Sequence, residues 1–164
     1  MVARREAKTY KAVLSTYARH APYYERKWRH YNDATIRATL DAVPWGKLKS
    51  VLDVGCGTGL LEEAAQQMQV PVRIDCVDVS FAMLRQAGNK EIPMAGSCWV
   101  NGVAEALPFR SAIYDAVVCA NSFHHYRQPL VAAKEFLRVL RPGGWLVVTT
   151  GAMIMWLAGY ATGF

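Results

Sequence analysis

The chain has 164 residues, 52% of them hydrophobic and 20% charged, with a formal net charge of +6. That length suits one domain with a buried core, and that composition excludes a disordered chain. No run of 18 or more apolar residues is present, which excludes a membrane-spanning helix, and no secretory-type apolar segment follows the basic start.

The charge is concentrated at the front. Residues 1–30 carry eight Lys or Arg against two Glu, and the rest of the chain balances at eleven against eleven. Such a front end is a solvated helix face, or else it attracts an acidic substrate, nucleic acid or an anionic membrane surface. The four cysteines, Cys56, Cys76, Cys98 and Cys119, form no C-x-x-C pair. They read as small buried apolar residues in a reducing, cytoplasmic compartment. No His and acid cluster has metal-ligand spacing, so no metal is expected.

Residues 4–21 predict an amphipathic helix, with Tyr10, Val13, Leu14 and Tyr17 on one face and Pro22 as its stop. A second helical pattern runs through Tyr24, Trp28, Tyr31, Ile36, Leu40 and Val43, and Pro44 and Gly46 turn the chain. Val51–Val54 reads as a buried strand that runs into three glycines at spacing two: Gly55, Gly57 and Gly59. Glycine accepts positive φ and lets a ligand approach bare backbone. The helical pattern Leu60–Gln69 follows, so an amide-rich helix start faces whatever sits on the loop.

The next apolar run, Val72–Val77, closes at Asp78, 25 positions after Asp53. Ser80 is the predicted cap of a helix over Phe81–Ala87, which Gly88 ends. A loop over 88–96, a short strand Cys98–Val100 and a strand Tyr114–Ala120 come next. Asn121 to His125 reads as a loop, and Pro129 opens a helix that ends at Leu140. Arg141-Pro142-Gly143-Gly144 predicts a sharp turn into a last strand, Trp145–Thr150. Strand alternating with helix five times argues an α/β fold: a doubly wound parallel sheet with helices on both faces.

The block Asp53-Val54-Gly55-Cys56-Gly57-Thr58-Gly59 followed by Asp78 resembles the class I S-adenosylmethionine-dependent methyltransferases. Its G-x-G-x-G spacing differs from the G-x-G-x-x-G of dinucleotide folds, which makes a nicotinamide-dependent oxidoreductase the weaker reading. Other blocks carry the same resemblance. Tyr17-Ala18-Arg19-His20-Ala21-Pro22-Tyr23-Tyr24 is similar to the lid helix of small-molecule members. Gly102-Val103-Ala104-Glu105-Ala106-Leu107-Pro108-Phe109 is similar to the family's Gly-Asp-Ala-Glu-x-Leu-Pro-Phe block. Arg138-Val139-Leu140-Arg141-Pro142-Gly143-Gly144 is similar to its last shared block. The resemblance covers about residues 10–150 and leans toward the ubiquinone and menaquinone biosynthesis C-methyltransferases.

The resemblance implies a Rossmann-like core at 47–150 that binds S-adenosyl-L-methionine. Around it lie a helical lid at 1–46 and an apolar tail at 151–164, all within one domain. It implies methyl transfer to a small molecule, lipid- or quinone-like. Tyr17 then belongs to the lid over the cofactor. Asp53 orients the loop and receives the ligand's ammonium, with a turn-capping acid as the alternative. The backbone of Gly55, Cys56, Gly57 and Gly59 packs on the amino-acid and ribose portions. Asp78 accepts both ribose hydroxyls, a helix-capping role being its alternative. Val79 and Met83 line the adenine, Ala104 offers backbone to its edge, and Asn121 sits near the methyl-transfer position. The family's acid after Gly102 is Val103 here; Glu105 substitutes for it or forms a surface ion pair. The catalytic residue is unknown. His124 and His125 are candidate bases, because histidine titrates near neutral pH, or they only pack; Tyr17 and Tyr126 come next.

No Asn/Asp-Pro-Pro-Tyr motif follows the fourth strand, which favours a small-molecule acceptor over nucleic acid or protein. The family normally continues beyond the fifth strand with a helix and two antiparallel strands. Residues 151–164 are uncharged and apolar, and read as an interfacial membrane anchor, a packed partial helix or a subunit contact. The chain therefore reads as C-terminally truncated, with the edge of the fifth strand open. That gives a second functional reading: a methyltransferase-like protein that binds cofactor or a partner with little or no activity.

Overall fold

A computed structural model of the chain describes residues 10–90, 92, 96–150 and 153–157. The predicted helix start at 4–9, Pro93 of the predicted loop, and residues 151–152 and 158–164 of the tail lie outside the described residues.

Helix α1 (Tyr10–His20) passes through a 3-10 turn at Ala21–Tyr23 into α2 (Tyr24–Ala42). The alternating units follow: β1 (Ser50–Val54), α3 (Leu60–Gln67), β2 (Arg73–Asp78), α4 (Phe81–Gly88), β3 (Trp99–Asn101), β4 (Tyr114–Ala120), α5 (Pro129–Val139), β5 (Leu140–Thr150) and β6 (Met153–Leu157). The sheet order is β3-β2-β1-β4-β5-β6, parallel from β3 to β5, with β6 antiparallel to β5. This is the expected doubly wound α/β architecture.

Strand alternation builds two cores. Val51, Ile74, Cys76, Ala116, Val118 and Val147 face one way and pack with Leu61 and Ala65 of α3 and Leu40 and Val43 at the end of α2. Leu52, Val54, Val77, Val117, Cys119, Leu146 and Val148 face the other way and pack with Ala132, Phe136 and Val139 of α5. A two-residue period sends successive side chains to opposite faces. With both faces roofed by helices, most of the buried strand positions are apolar.

Four expectations are corrected. Helix α3 ends at Gln67 rather than Gln69, because Gln69 takes a left-handed φ of +55° and turns the chain toward β2. Arg141–Gly144 is not a turn before β5 but an irregular stretch inside it, marked by a register shift against β4. Gly143 has φ +80°, and a Cβ on Gly144 would lie 2.9 Å from the Arg141 carbonyl oxygen, so the irregularity needs both glycines. Asp115 braces it by pairing with Arg141 and accepting the Lys49 and Ser50 amides at 2.9 and 3.0 Å. Cys98 is exposed rather than buried. Finally, Met153–Leu157 of the tail forms β6 and pairs with β5 from Leu146↔Leu157 to Thr150↔Met153, so the β5 edge is covered along that stretch. Among the described residues, no helix is long and apolar enough to cross a membrane.

Candidate functional site

The chain leaves β1 through Gly55, Gly57 and Gly59, at φ +81°, +59° and +77°. Glycine alone takes this conformation freely. The amides of Gly55 and Cys56 both donate to the Val77 carbonyl, at 2.7 and 3.3 Å, which ties the loop to the end of β2. Close approach matters at Gly55: a Cβ there would lie 2.2 Å from Ser122 Oγ.

Asp78 ends β2 and organises the loop. Its Oδ2 accepts the Gly57 amide at 2.9 Å and its Oδ1 accepts the Ser80 amide at 2.7 Å. Ser80 is the cap residue of α4, but its side chain makes no capping bond; Asp78 takes its amide instead. Burial pushes the Asp78 carboxyl above the usual range, against the pull of these two N–H groups.

Above the loop lies a cleft that is partly open to solvent. Gly55, Gly57, Asp78 and Val79, following the carboxyl ends of β1 and β2, line it together with Met83 and Ala104. Tyr17, Tyr24, Asn121, Ser122, His125 and Tyr126 complete the lining. The strand ends of open α/β sheets are where such folds bind ligands.

In this lining the Tyr17 hydroxyl lies 2.6 Å from His125 Nε2, joining α1 to the segment after β4. The two rings meet edge-on at 5.3 Å. Burial raises the Tyr17 phenol well above its ordinary range, with neighbouring Tyr24 adding to the shift, so it stays neutral. Asn121 holds a left-handed φ of +57° while its amide donates to the Thr149 carbonyl at 2.8 Å. Its Oδ1 is buried and lacks a hydrogen-bond partner among the described residues. The hydroxyls of Ser122 and Tyr126 both donate to the Val54 carbonyl, at 2.9 and 3.1 Å, and hold the root of the glycine loop.

Ten of the residues singled out in the sequence thus line the cleft: Tyr17, Gly55, Gly57, Asp78, Val79, Met83, Ala104, Asn121, His125 and Tyr126. Five lie elsewhere. Asp53 is buried on β1 beside Cys76, to which Glu62 of α3 also bonds. Cys56 is buried, and Gly59 starts α3 against Trp99 and Ile92. Glu105 accepts the amides of Arg127 and Gln128, at 3.1 and 3.2 Å, just ahead of α5. It braces a helix start instead of replacing the acid that Val103 displaces. His124 is exposed and its ring lies 3.9 Å from that of His125. Sequence reasoning missed Tyr24 and Ser122. Ser122 had a signal: it follows Asn121 at the end of β4 and sits four residues, about one helical turn, before Tyr126.

The residues present suit an adenosyl sulfonium ligand. Asp78 keeps lone pairs for hydroxyl groups, Asn121 Oδ1 is an unused buried acceptor, and Val79, Met83 and Ala104 form an apolar wall. A nest of bare backbone leaves room for close approach at Gly57, where a Cβ would meet only Met83, at 3.5 Å.

Comparison with known proteins agrees with this geometry. Residues 52–148 match a family model described as a methyltransferase domain. The chain is 35% identical over 123 residues to a demethylmenaquinone methyltransferase of Renibacterium salmoninarum, covering 75% of this chain and 47% of that protein. It is 30% identical over 142 residues to a malonyl-[acyl-carrier protein] O-methyltransferase of Enterobacter lignolyticus, covering 85% and 53%. Among solved structures, the [4+2]-cyclase SpnF superposes with a TM-score of 0.76 at 24% identity, covering 88% of this chain and 61% of that one. At that identity the likeness carries the fold alone. The chain spans about half the length, or less, of the curated relatives it matches.

Proposed function

The chain belongs to the class I S-adenosylmethionine-dependent methyltransferases, and on that premise we propose that it transfers a methyl group to a small-molecule acceptor, lipid- or quinone-like, within the cleft. The observation that carries this reading is Asp78: one carboxyl holds the glycine loop and the start of α4 while lining the cleft.

S-adenosylmethionine, the cofactor of this family, supplies an already activated methyl group on a sulfonium. The chain's residues then have to bind, align and exclude water. Asp78 accepts ribose hydroxyls through its remaining lone pairs. Gly55 and Gly57 give the ligand bare backbone. Val79, Met83 and Ala104 hold the adenine, and Asn121 Oδ1 marks the methyl-transfer end. Asp53 acts from beneath the loop on the ligand's ammonium.

Tyr17 and His125 manage the proton. Because burial keeps Tyr17 neutral, it serves as a relay and not as the base. It takes a proton from the acceptor at Oη as it passes its own to His125 Nε2, 2.6 Å away. Helix α1, which brings Tyr17 over the cleft, is the lid that keeps water out.

The test has two stages. Calorimetric titration with S-adenosylhomocysteine comes first. Transfer of a labelled methyl group from S-adenosylmethionine comes second, offered to demethylmenaquinone, malonyl-acyl carrier protein and lipid extracts. Binding with transfer supports the reading. Binding without transfer to any acceptor supports the second reading, a cofactor-binding protein with little activity. Failure to bind overturns both.

A further inference from the structure

Behind the glycine loop two carboxyl groups face each other. Asp53 on β1 and Glu62 in the first turn of α3 are 2% and 0% exposed. Strand alternation puts Asp53 on the same sheet face as Val51, and α3 roofs that face through Leu61 and Ala65. The two meet at Cys76, which is the register partner of Asp53 on β2 and whose thiol donates to Glu62 Oε1 at 3.2 Å. Asp53 Oδ1 and Glu62 Oε2 are buried without a hydrogen-bond partner among the described residues.

Ionised carboxylates only accept hydrogen bonds. Two of them can bond each other only by sharing a proton. Two neighbouring like charges at a nearly dry site cannot both persist, so one acid is driven neutral. Burial raises both carboxyls above the ordinary range, and the charge of Glu62 raises Asp53 further.

The other groups around the pair can be named. Cys76 and Asp78 neighbour it on β2 and Cys56 on the glycine loop, while Cys119 of β4 lies on the opposite face of the sheet and feels the charge of Asp53 through it. Lys90, beyond α4, is the cation that acts on Glu62, and it is already bound to Glu25 and Glu63 at 2.5 and 2.8 Å. Burial pushes the thiols of Cys56, Cys76 and Cys119 up, away from the neutral range. Asp78 is the one other acid here that faces the ligand.

We propose that Glu62 is a positioning residue for the cofactor: it shares one proton with Asp53 in the free chain, and the pair gives that proton up when a ligand ammonium comes to the cleft. This rests on the reading that the cleft binds S-adenosylmethionine with its amino group toward Asp53. A cation favours the ionised form of an adjacent acid, so binding releases a proton and affinity rises with pH.

Calorimetry at pH 7 in two buffers of different ionisation enthalpy counts that proton. The full chain is titrated with S-adenosylhomocysteine, which carries the ammonium, and with 5′-methylthioadenosine, which keeps the adenosine and thioether but has none. The expected result is release of most of one proton with the first ligand and essentially none with the second. Both ligands engage Asp78, so their difference isolates the pair. Glu62→Gln, which keeps shape but cannot hold the proton, is expected to abolish the release and flatten the rise of affinity between pH 6 and 8. Equal proton counts for the two ligands, or an unchanged count in Glu62→Gln, would overturn the proposal alone. The wild-type comparison decides the matter even if the variant does not fold. Absence of S-adenosylhomocysteine binding to the wild type overturns the underlying reading as well.

Discussion

Tyr17 and His125 stand 108 positions apart and share a hydrogen bond of 2.6 Å in the cleft that both line. It ties the first described helix to the segment after β4. His125→Ala is expected to lower methyl transfer about 10²- to 10⁴-fold, the usual worth of a positioned general base. Affinity for S-adenosylhomocysteine should stay within a few-fold. Single-turnover transfer beside calorimetry separates the two effects. Equal losses in binding and transfer would assign His125 to cofactor holding instead.

Asp78→Asn is expected to weaken cofactor binding about 10- to 100-fold. The amide cannot accept both the Gly57 and Ser80 N–H groups while still offering lone pairs to the ligand, and hydrogen bonds to a charged group are worth roughly 1.5–3 kcal/mol. Titration of the variant with S-adenosylhomocysteine measures it. Unchanged affinity would remove Asp78 from the ribose site.

Gly55 and Gly143 make a matched pair of tests. Both have φ near +80°, but a Cβ on Gly55 meets Ser122 Oγ at 2.2 Å and one on Gly143 meets nothing within 4 Å. Gly143→Ala should cost about 1–2 kcal/mol, the price of left-handed backbone alone. Gly55→Ala should cost roughly 1–3 kcal/mol more, the added cost of overpacking. Urea unfolding of the two variants gives the difference. Equal costs would mean that Ser122 moves aside freely.

Glu135 supplies a pH test of stability. Its bonds to Arg138, at 2.6 and 2.7 Å, outweigh partial burial and, with the Leu107 amide, hold its carboxyl below the usual range. A carboxyl lowered in the folded state contributes stability above its unfolded value, near pH 4.3, and loses it as pH falls through the folded value. Glu135→Gln should therefore cost about 1 kcal/mol at pH 7, since Arg138 is partly solvated. The deficit should shrink toward zero below about pH 4. A deficit that persists at pH 3 would point to packing in place of charge.

The strands and the glycine loop were legible from local pattern. Val51–Val54, Tyr114–Ala120 and the glycines at 55, 57 and 59 lie where period and spacing put them, because alternation and positive φ are properties of neighbouring residues. Strand β6 was not legible. Met153–Leu157 has no alternation of its own, and it is a strand because it meets the free edge of β5. Glu105 misled for a related reason. Its place in the Gly102–Phe109 block suggested a ligand contact, and only the packing of α5 brought Arg127 and Gln128 to its carboxylate.

The sequence by itself determined the layered α/β class, the glycine loop and the acid at the tip of the second strand. Each is written in residues close together along the chain. Only the tertiary structure decided that Tyr17 meets His125 and that Ser122 and Tyr126 grip the Val54 carbonyl. Those contacts join distant segments, and they exist because burying both faces of one sheet leaves the helices few places to go.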